Sequence, residues 1–312
     1  MTLHRPLQPS APGTWKKRIL RNWELYLMFL PVLAYFIIFH YLPMYGVQIA
    51  FKKFSAVKGI LGSPWRGLYY FERFFNSYQF KELLGNTLGL SVYSLVVGFP
   101  MPILLALMMN ELRSERIKRC VQTITYAPHF ISTVVMCSMI TLFLSPSSGW
   151  INRLIELCGG QSVYFLGRPE YFKTIYVVSG VWQDTGWSSI IYMAALSGID
   201  PLLHEAATID GASRLRRVIH INLPGILPTA IILLIMNCGS IMSVGFEKVF
   251  LLMNNLNRSS AEIISTFVYQ RGLIDRDYSY AAAIGLFNSV INLILLVAVN
   301  AISRRVSDTS LW

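Results

Sequence analysis

Polar and apolar residues separate along this chain into long blocks. Apolar runs broken only by scattered polar residues occupy about 25–48, 85–110, 121–144, 172–198, 226–250 and 281–302. Each is long enough to cross a hydrocarbon core as a helix, which takes roughly 20 residues. The pattern therefore predicts an all-α integral membrane protein with six transmembrane helices. The membrane domain should run over 24–303, with a partly disordered tail at 1–23 and a short C-terminal tail at 304–312. The first run exceeds the apolar core of a signal peptide, about 7–15 residues, and no small-residue cleavage pattern follows it. It is expected to remain as a helix.

Several runs carry helix breakers: Pro31, then Gly98, Pro100 and Pro102, then Pro128. Such residues are tolerated in a bilayer where neighbouring helices or side chains satisfy the freed backbone groups, so they fit either kinked helices around a cavity or ordinary bundle packing. Between the runs, segments 52–84, 145–171 and 251–280 are rich in rings (Trp65, Tyr69, Tyr70, Phe74, Phe75, Tyr164, Phe165, Tyr171). These suit an interfacial aromatic belt or the docking of an external partner. Residues 1–15, with Pro6, Pro9 and Pro12 among small polar residues, should be dispensable for activity.

Composition agrees with the pattern. The chain is 54% hydrophobic and 14% charged, against about 25% charged in a soluble domain. A net charge of +11 raises the question of nucleic acid, but the basic residues are scattered in short loops rather than gathered on one face, which argues against it. Lys16, Lys17, Arg18, Arg21, Arg113, Arg116, Lys118, Arg119, Arg214, Arg216, Arg217, Arg304 and Arg305 all fall on one side of a six-span topology. The positive-inside rule makes that side the cytoplasm, with both termini there. Lys52, Lys53, Lys58, Arg66, Arg73 and Lys81 lie in the first external segment against the rule. They would suit acidic sugars, lipid headgroups or an acidic binding protein equally. Cys120, Cys137, Cys158 and Cys238 have no metal-ligand or disulfide spacing, and a packing role is expected for them. No phosphate loop of the form G-x-x-x-x-G-K-[ST] and no catalytic or metal-binding constellation occurs, so the chain is read as a non-enzyme with no cofactor of its own.

The polar segment 199–225 can be read locally. Asp200 followed by Pro201 is a cap followed by a proline at the first helical position, where its missing N–H costs nothing. Gly211 can supply the left-handed residue that closes this helix, and Ser213 can cap a second one bearing Leu215, Val218 and Ile219. Pro224 and Pro228 then stiffen the entry to the fifth run. Within this segment Glu205, Ala206, Ala207, Asp210, Gly211, Ile221, Leu223 and Pro224 resemble, at full spacing, the EAA signature of permease subunits of bacterial ATP-binding-cassette importers. Val218 departs from the pattern, since relatives often carry an aromatic residue there. Tyr41 to Phe51, Gly59 to Tyr70, Ser265 to Leu273 and Tyr278 to Phe287 look like the oligosaccharide-importing branch, carbohydrate uptake family 1, including permeases for alginate and rhamnogalacturonan-type oligosaccharides.

That resemblance implies a type I importer fold, in which the loop around Glu205 forms coupling helices docked on an ATPase. It also implies a second homologous permease, two ATPase subunits that bind ATP and Mg, and an extracytoplasmic sugar-binding protein. On the residues themselves, Ala206 and Ala207 let another surface come close, and Glu205 offers it a carboxylate. A loop lying on lipid headgroups is the plainer reading of the same residues.

Polar groups inside spans are costly and therefore candidates for function. Gly180, Gln183, Asp184 and Trp187 share a face at helical spacing, joining hydrogen-bonding groups to a flat ring on which a sugar can stack. Asn237, Ser240 and Val244 line a face of the fifth run; Gly285, Asn288 and Asn292 line one of the sixth, where interhelical hydrogen bonding is favoured. Glu247 and Lys248 fit an ion pair or a gate. The rival class is an ion-coupled secondary transporter, which would need coupling charges and, often, inverted repeats. The chain offers one good candidate for such a charge, Asp184, and no evident repeat.

Overall fold

The computed structural model describes residues 22–306; the expectations for residues 1–15 and for the basic residues before Asn22 lie outside them. Among the described residues the fold is helical, and the one β feature is an isolated bridge between Lys52 and Trp65. The helices used below are α1 (Trp23–Phe51), α2 (Gln79–Asn110), α3 (Glu115–Phe130), α4 (Thr133–Phe143), α5 (Trp150–Leu157), α6 (Pro169–Ser197), α7 (Pro201–Ile209), α8 (Arg214–Gly239), α9 (Phe246–Leu252) and α10 (Tyr278–Val306).

Four helices, α1, α2, α8 and α10, combine the length and apolarity needed to cross a membrane, and a fifth crossing is possible through the bent pair α3 and α4. Three of the predicted spans differ from expectation. The run 121–144 is no straight helix. It tightens into a 3₁₀ turn at Ala127–Phe130, where Pro128 lacks an N–H, and restarts at Thr133 after a bend of 100°. The Ser132 hydroxyl caps the restart by accepting from the Val135 N–H. The fourth run forms one unbroken helix, α6, about 43 Å long at 1.5 Å per residue, but too polar to rank with the apolar spans. The fifth run does not continue to 250. It ends at Gly239, which a Leu296 methyl approaches so closely that a Cβ there would meet it at 2.5 Å.

Other breakers behave differently. Gly98, Pro100 and Pro102 leave α2 continuous, with the Phe99 N–H still reaching the Leu95 oxygen at 3.0 Å. In α1 and α8 a π turn precedes a proline: Ile37–Tyr41 before Pro43, and Val218–Asn222 before Pro224. The ring's missing N–H is absorbed by widening one turn instead of breaking the helix.

α6 is the organising element, packed against α2, α3 and α8. Toward the C-terminal end of α6 Leu107, Tyr192, Leu196, Ile226 and Ala230 form a buried cluster; toward its N-terminal end Leu90, Phe172, Val177, Val249 and Leu252 form another. A third, away from α6, gathers Phe74, Leu83, Phe267, Tyr280 and Ile284, and Arg73 braces it with an ion pair to Asp277 at 2.7 Å. The loop rings are therefore not one class. Tyr70 and Phe74 are core residues, whereas Trp65, Tyr69 and Phe75 stay exposed. The cysteines divide similarly: Cys137 is buried and Cys238 half-buried, but Cys120 and Cys158 are exposed, so packing does not account for them.

Candidate functional site: a central cavity and an exposed two-helix loop

A cavity of about 730 Å³ opens between α2, α6, the end of α8 and the unwound segment 240–245. Gly180, Gln183, Asp184, Trp187, Asn237, Ser240 and Val244 all lie on its wall. Val244 does so from irregular backbone, not from a helix face. That backbone is held by side chains from α2 and α10, and Lys248 beyond it reaches back to α6. Ser91 donates to the Ile241 oxygen, Asn292 accepts from the Met242 N–H at 2.9 Å and donates to Ser243 Oγ at 2.8 Å, and Lys248 Nζ donates to the Tyr176 oxygen at 2.9 Å. Irregular backbone at membrane depth needs such partners where it borders a cavity. Asn292 is thus a brace, in keeping with interhelical bonding, and Gly285, Asn288 and Asn292 do not line the cavity.

Three of the candidates on α6 share a second task. Gln183 Nε2 donates to the Ile131 oxygen at 3.0 Å, and Asp184 Oδ1 lies 3.0 Å from His129 Nδ1. Trp187 stacks on the His129 ring at 4.6 Å with 4° between planes and meets Phe130 edge-on. All three hold the corner between α3 and α4. Gly186 admits this contact, because a Cβ there would sit 2.0 Å from the Thr125 backbone oxygen. His129 and Lys248 are the residues the sequence pattern undervalued. A histidine beside Pro128 at a helix break was the available signal for the first.

Glu247 and Lys248 do not pair. Adjacent helical positions point apart, and the Glu247 side chain is exposed while Lys248 is buried, its ammonium 4.7 Å from the Tyr176 ring centroid. Ser94 Oγ and Thr185 Oγ1, also on the cavity wall, have no hydrogen-bond partner among the described residues. The cavity lining includes an indole, amides and a hydroxyl, from Trp187, Gln183, Asn237 and Ser240, side-chain types that suit a polyhydroxylated molecule with apolar ring faces. Among the described residues no cluster of His, Cys, Asp or Glu is placed to hold a metal ion.

The second region is α7 and the start of α8. Asp200 Oδ1 accepts from the Leu202 N–H at 2.9 Å, starting α7 at Pro201. At its end Ala212 N–H bonds the Ala207 oxygen at 2.8 Å and Gly211 N–H bonds the Thr208 oxygen at 3.1 Å. Gly211 has φ +73°. This is the paired 6→1 and 5→2 closure that favours glycine at its left-handed position. Ser213 then caps the next helix, and Arg217 donates to Thr208 Oγ1 at 2.7 Å, tying the two helices together. The second helix does not stop: it runs through the π turn into α8. Glu205, Ala206 and Asp210 are exposed, Ala207 and Ile221 half-buried, and Leu223 and Pro224 exposed. Leu202, Leu203, Ile209 and Leu215 present large apolar side chains outward, Ile209 at 86% exposure.

Comparison with known proteins places these features in context. The family model described as binding-protein-dependent transport system inner membrane component matches residues 98–308. Protein LplB of Bacillus subtilis (strain 168) is 43% identical over 98% of this chain and 97% of its own length. The polygalacturonan/rhamnogalacturonan transport system permease protein YteP of the same organism is 43% identical over 95% of this chain and 92% of its own. Among solved structures, a chain of a bacterial alginate ABC transporter in complex with an alginate pentasaccharide-bound periplasmic protein superposes with a TM-score of 0.89 at 43% identity, covering 96% of this chain and 100% of that one.

Proposed function

Because the chain belongs to the family of binding-protein-dependent transport system inner membrane components, we propose that it is a transmembrane subunit of an ATP-driven importer for oligosaccharides. The α7 helix, with Glu205 outward and the Gly211 turn behind it, is the coupling element for an ATPase subunit. The single observation that carries this reading is the continuity from the exposed loop into α8, whose far end borders the cavity. A push on α7 is transmitted through the Gly211 turn and the Arg217–Thr208 tie to the helix that ends at Ser240.

The full assembly pairs this chain with a second homologous permease, two ATPase subunits that bind ATP and Mg, and an extracytoplasmic binding protein. The chain crosses the bacterial inner membrane six times, with α6 and the bent α3–α4 pair among the crossings and both termini cytoplasmic. ATP-driven closure of the ATPases turns the cavity outward to receive sugar, and hydrolysis returns it inward. Gly180, Gln183, Asp184, Trp187, Asn237, Ser240 and Val244 form this subunit's share of the sugar path. Polygalacturonan, rhamnogalacturonan and alginate, named for the relatives, support an acidic oligosaccharide. An ion-coupled secondary transporter has no use for an exposed docking helix of this build.

Affinity purification of the chain from its own membranes tests the reading. A stoichiometric ATP-binding-cassette ATPase and a second permease should copurify, and vesicles containing the complex should take up oligosaccharide only with ATP and the binding protein. Uptake driven by an ion gradient, with no ATPase present, would overturn it.

A further inference from the structure

Resting on the cavity as a sugar path, we propose that Lys248 is its anion-recognition residue, pairing with the carboxylate of a uronic acid unit during passage. The lysine is 8% exposed, yet it faces the cavity. An ammonium has three donors and no acceptor. One N–H goes to the Tyr176 oxygen at 2.9 Å, and the tyrosine ring lies under the charge at 4.7 Å. No acidic side chain among the described residues stands within ion-pair distance of it. Asp184, the one carboxylate on the same wall, is held 3.0 Å from His129 instead.

Buried cations are normally paired, because leaving water is costly without a counterion. Here the protein supplies a carbonyl and a ring face, and leaves the counterion position open. Gly180 keeps the approach clear: a Cβ at that position would lie 3.4 Å from Nζ. A neutral oligosaccharide can offer this cation only a hydroxyl oxygen, whereas a carboxylate supplies the missing counterion together with a charge-assisted hydrogen bond. Of the two positions that looked alike in sequence, Glu247 faces outward and takes no part.

The test uses the complete importer in detergent, without its binding protein, so that selection by that protein does not enter. Equilibrium binding is compared for a galacturonate tetrasaccharide and its carboxyl-reduced, neutral counterpart. The unsubstituted importer should prefer the acidic form by about tenfold or more, the scale of one hydrogen bond to a charged group. Lys248→Met should bring the ratio of the two affinities close to one, and Lys248→Arg should keep most of the preference. Equal binding of both forms by the unsubstituted importer would overturn the proposal without any variant having to fold. So would a preference that survives Lys248→Met. Either result leaves the importer reading standing if vesicle uptake still requires ATP; absence of any oligosaccharide uptake would remove both.

Discussion

The loop around Glu205 and the cavity beside Trp187 both present polar groups at helical spacing, yet they are built in opposite ways. In the loop, every contact that sets the geometry lies within a few residues along the chain: Asp200 to Leu202, Ala212 to Ala207, Ser213 to Arg216, Arg217 to Thr208. In the cavity the contacts span large separations, such as Gln183 to Ile131, Asp184 to His129 and Asn292 to Met242. A locally closed element can act as a rigid handle whatever the bundle does. A wall held by distant partners changes shape whenever those partners move, which suits a path that must open and close.

That contrast can be broken most severely at Gly186. Replacement by Ala sets a Cβ against the Thr125 backbone oxygen, and a backbone atom cannot swing aside, so α3 and α6 must separate at a cost of about 1–3 kcal/mol or more. The expected outcome is a marked drop in thermal stability of the purified protein. Gly85→Ala on α2, with nothing within 4 Å of the new methyl, should be neutral or gain about 0.5–1 kcal/mol. Equal behaviour of the two variants would mean that the α3–α6 contact is looser than described.

Next in size is Glu205→Lys. Its side chain is exposed, so the protein should reach the membrane at normal levels while ATP-driven uptake falls at least about tenfold, as a charge-assisted contact to a partner is replaced by repulsion. Normal uptake with normal ATPase copurification would deny this helix a coupling role. Gly211→Ala probes the same handle more gently. Forcing a side chain into φ +73° costs about 1–2 kcal/mol, and the strain stays in the loop. Partial loss of coupling at near-normal thermal stability is expected; a global stability loss would show that the handle is not locally closed.

The smallest effects belong to the cavity corner. Trp187→Ala removes the stack on His129, worth roughly 0.5–1.5 kcal/mol beyond burial, and should lower uptake by about two- to tenfold with ATPase assembly intact. Asp184→Asn should be milder, because an amide oxygen can still accept from His129 Nδ1–H. If Asp184→Asn proves the more damaging of the two, the carboxylate charge matters and the corner is more than a packing contact.

The chain by itself determined the helical membrane class, the cap and glycine turn of the loop around Gly211, and the residues of α6 and 237–244 that border a common space. Each rests on information carried by neighbouring positions: run length against bilayer thickness, cap chemistry and the 3.6-residue period. It did not foresee the break inside the third run or the early end of the fifth, because Pro128 and Gly239 resemble Pro102 and Gly98 in sequence. Only their surroundings separate a break from a tolerated irregularity. At 131–132 and 240–245 the chain unwinds where Gln183, Ser132, Ser91 and Asn292 stand ready to take its backbone bonds. Tertiary structure likewise turned Asp184 and Trp187 toward His129 and Gln183 toward Ile131, split Tyr70 and Phe74 from the exposed rings, and buried Lys248 on the cavity wall while leaving Glu247 outside. Such choices depend on which distant group supplies the missing partner, and no local pattern contains that.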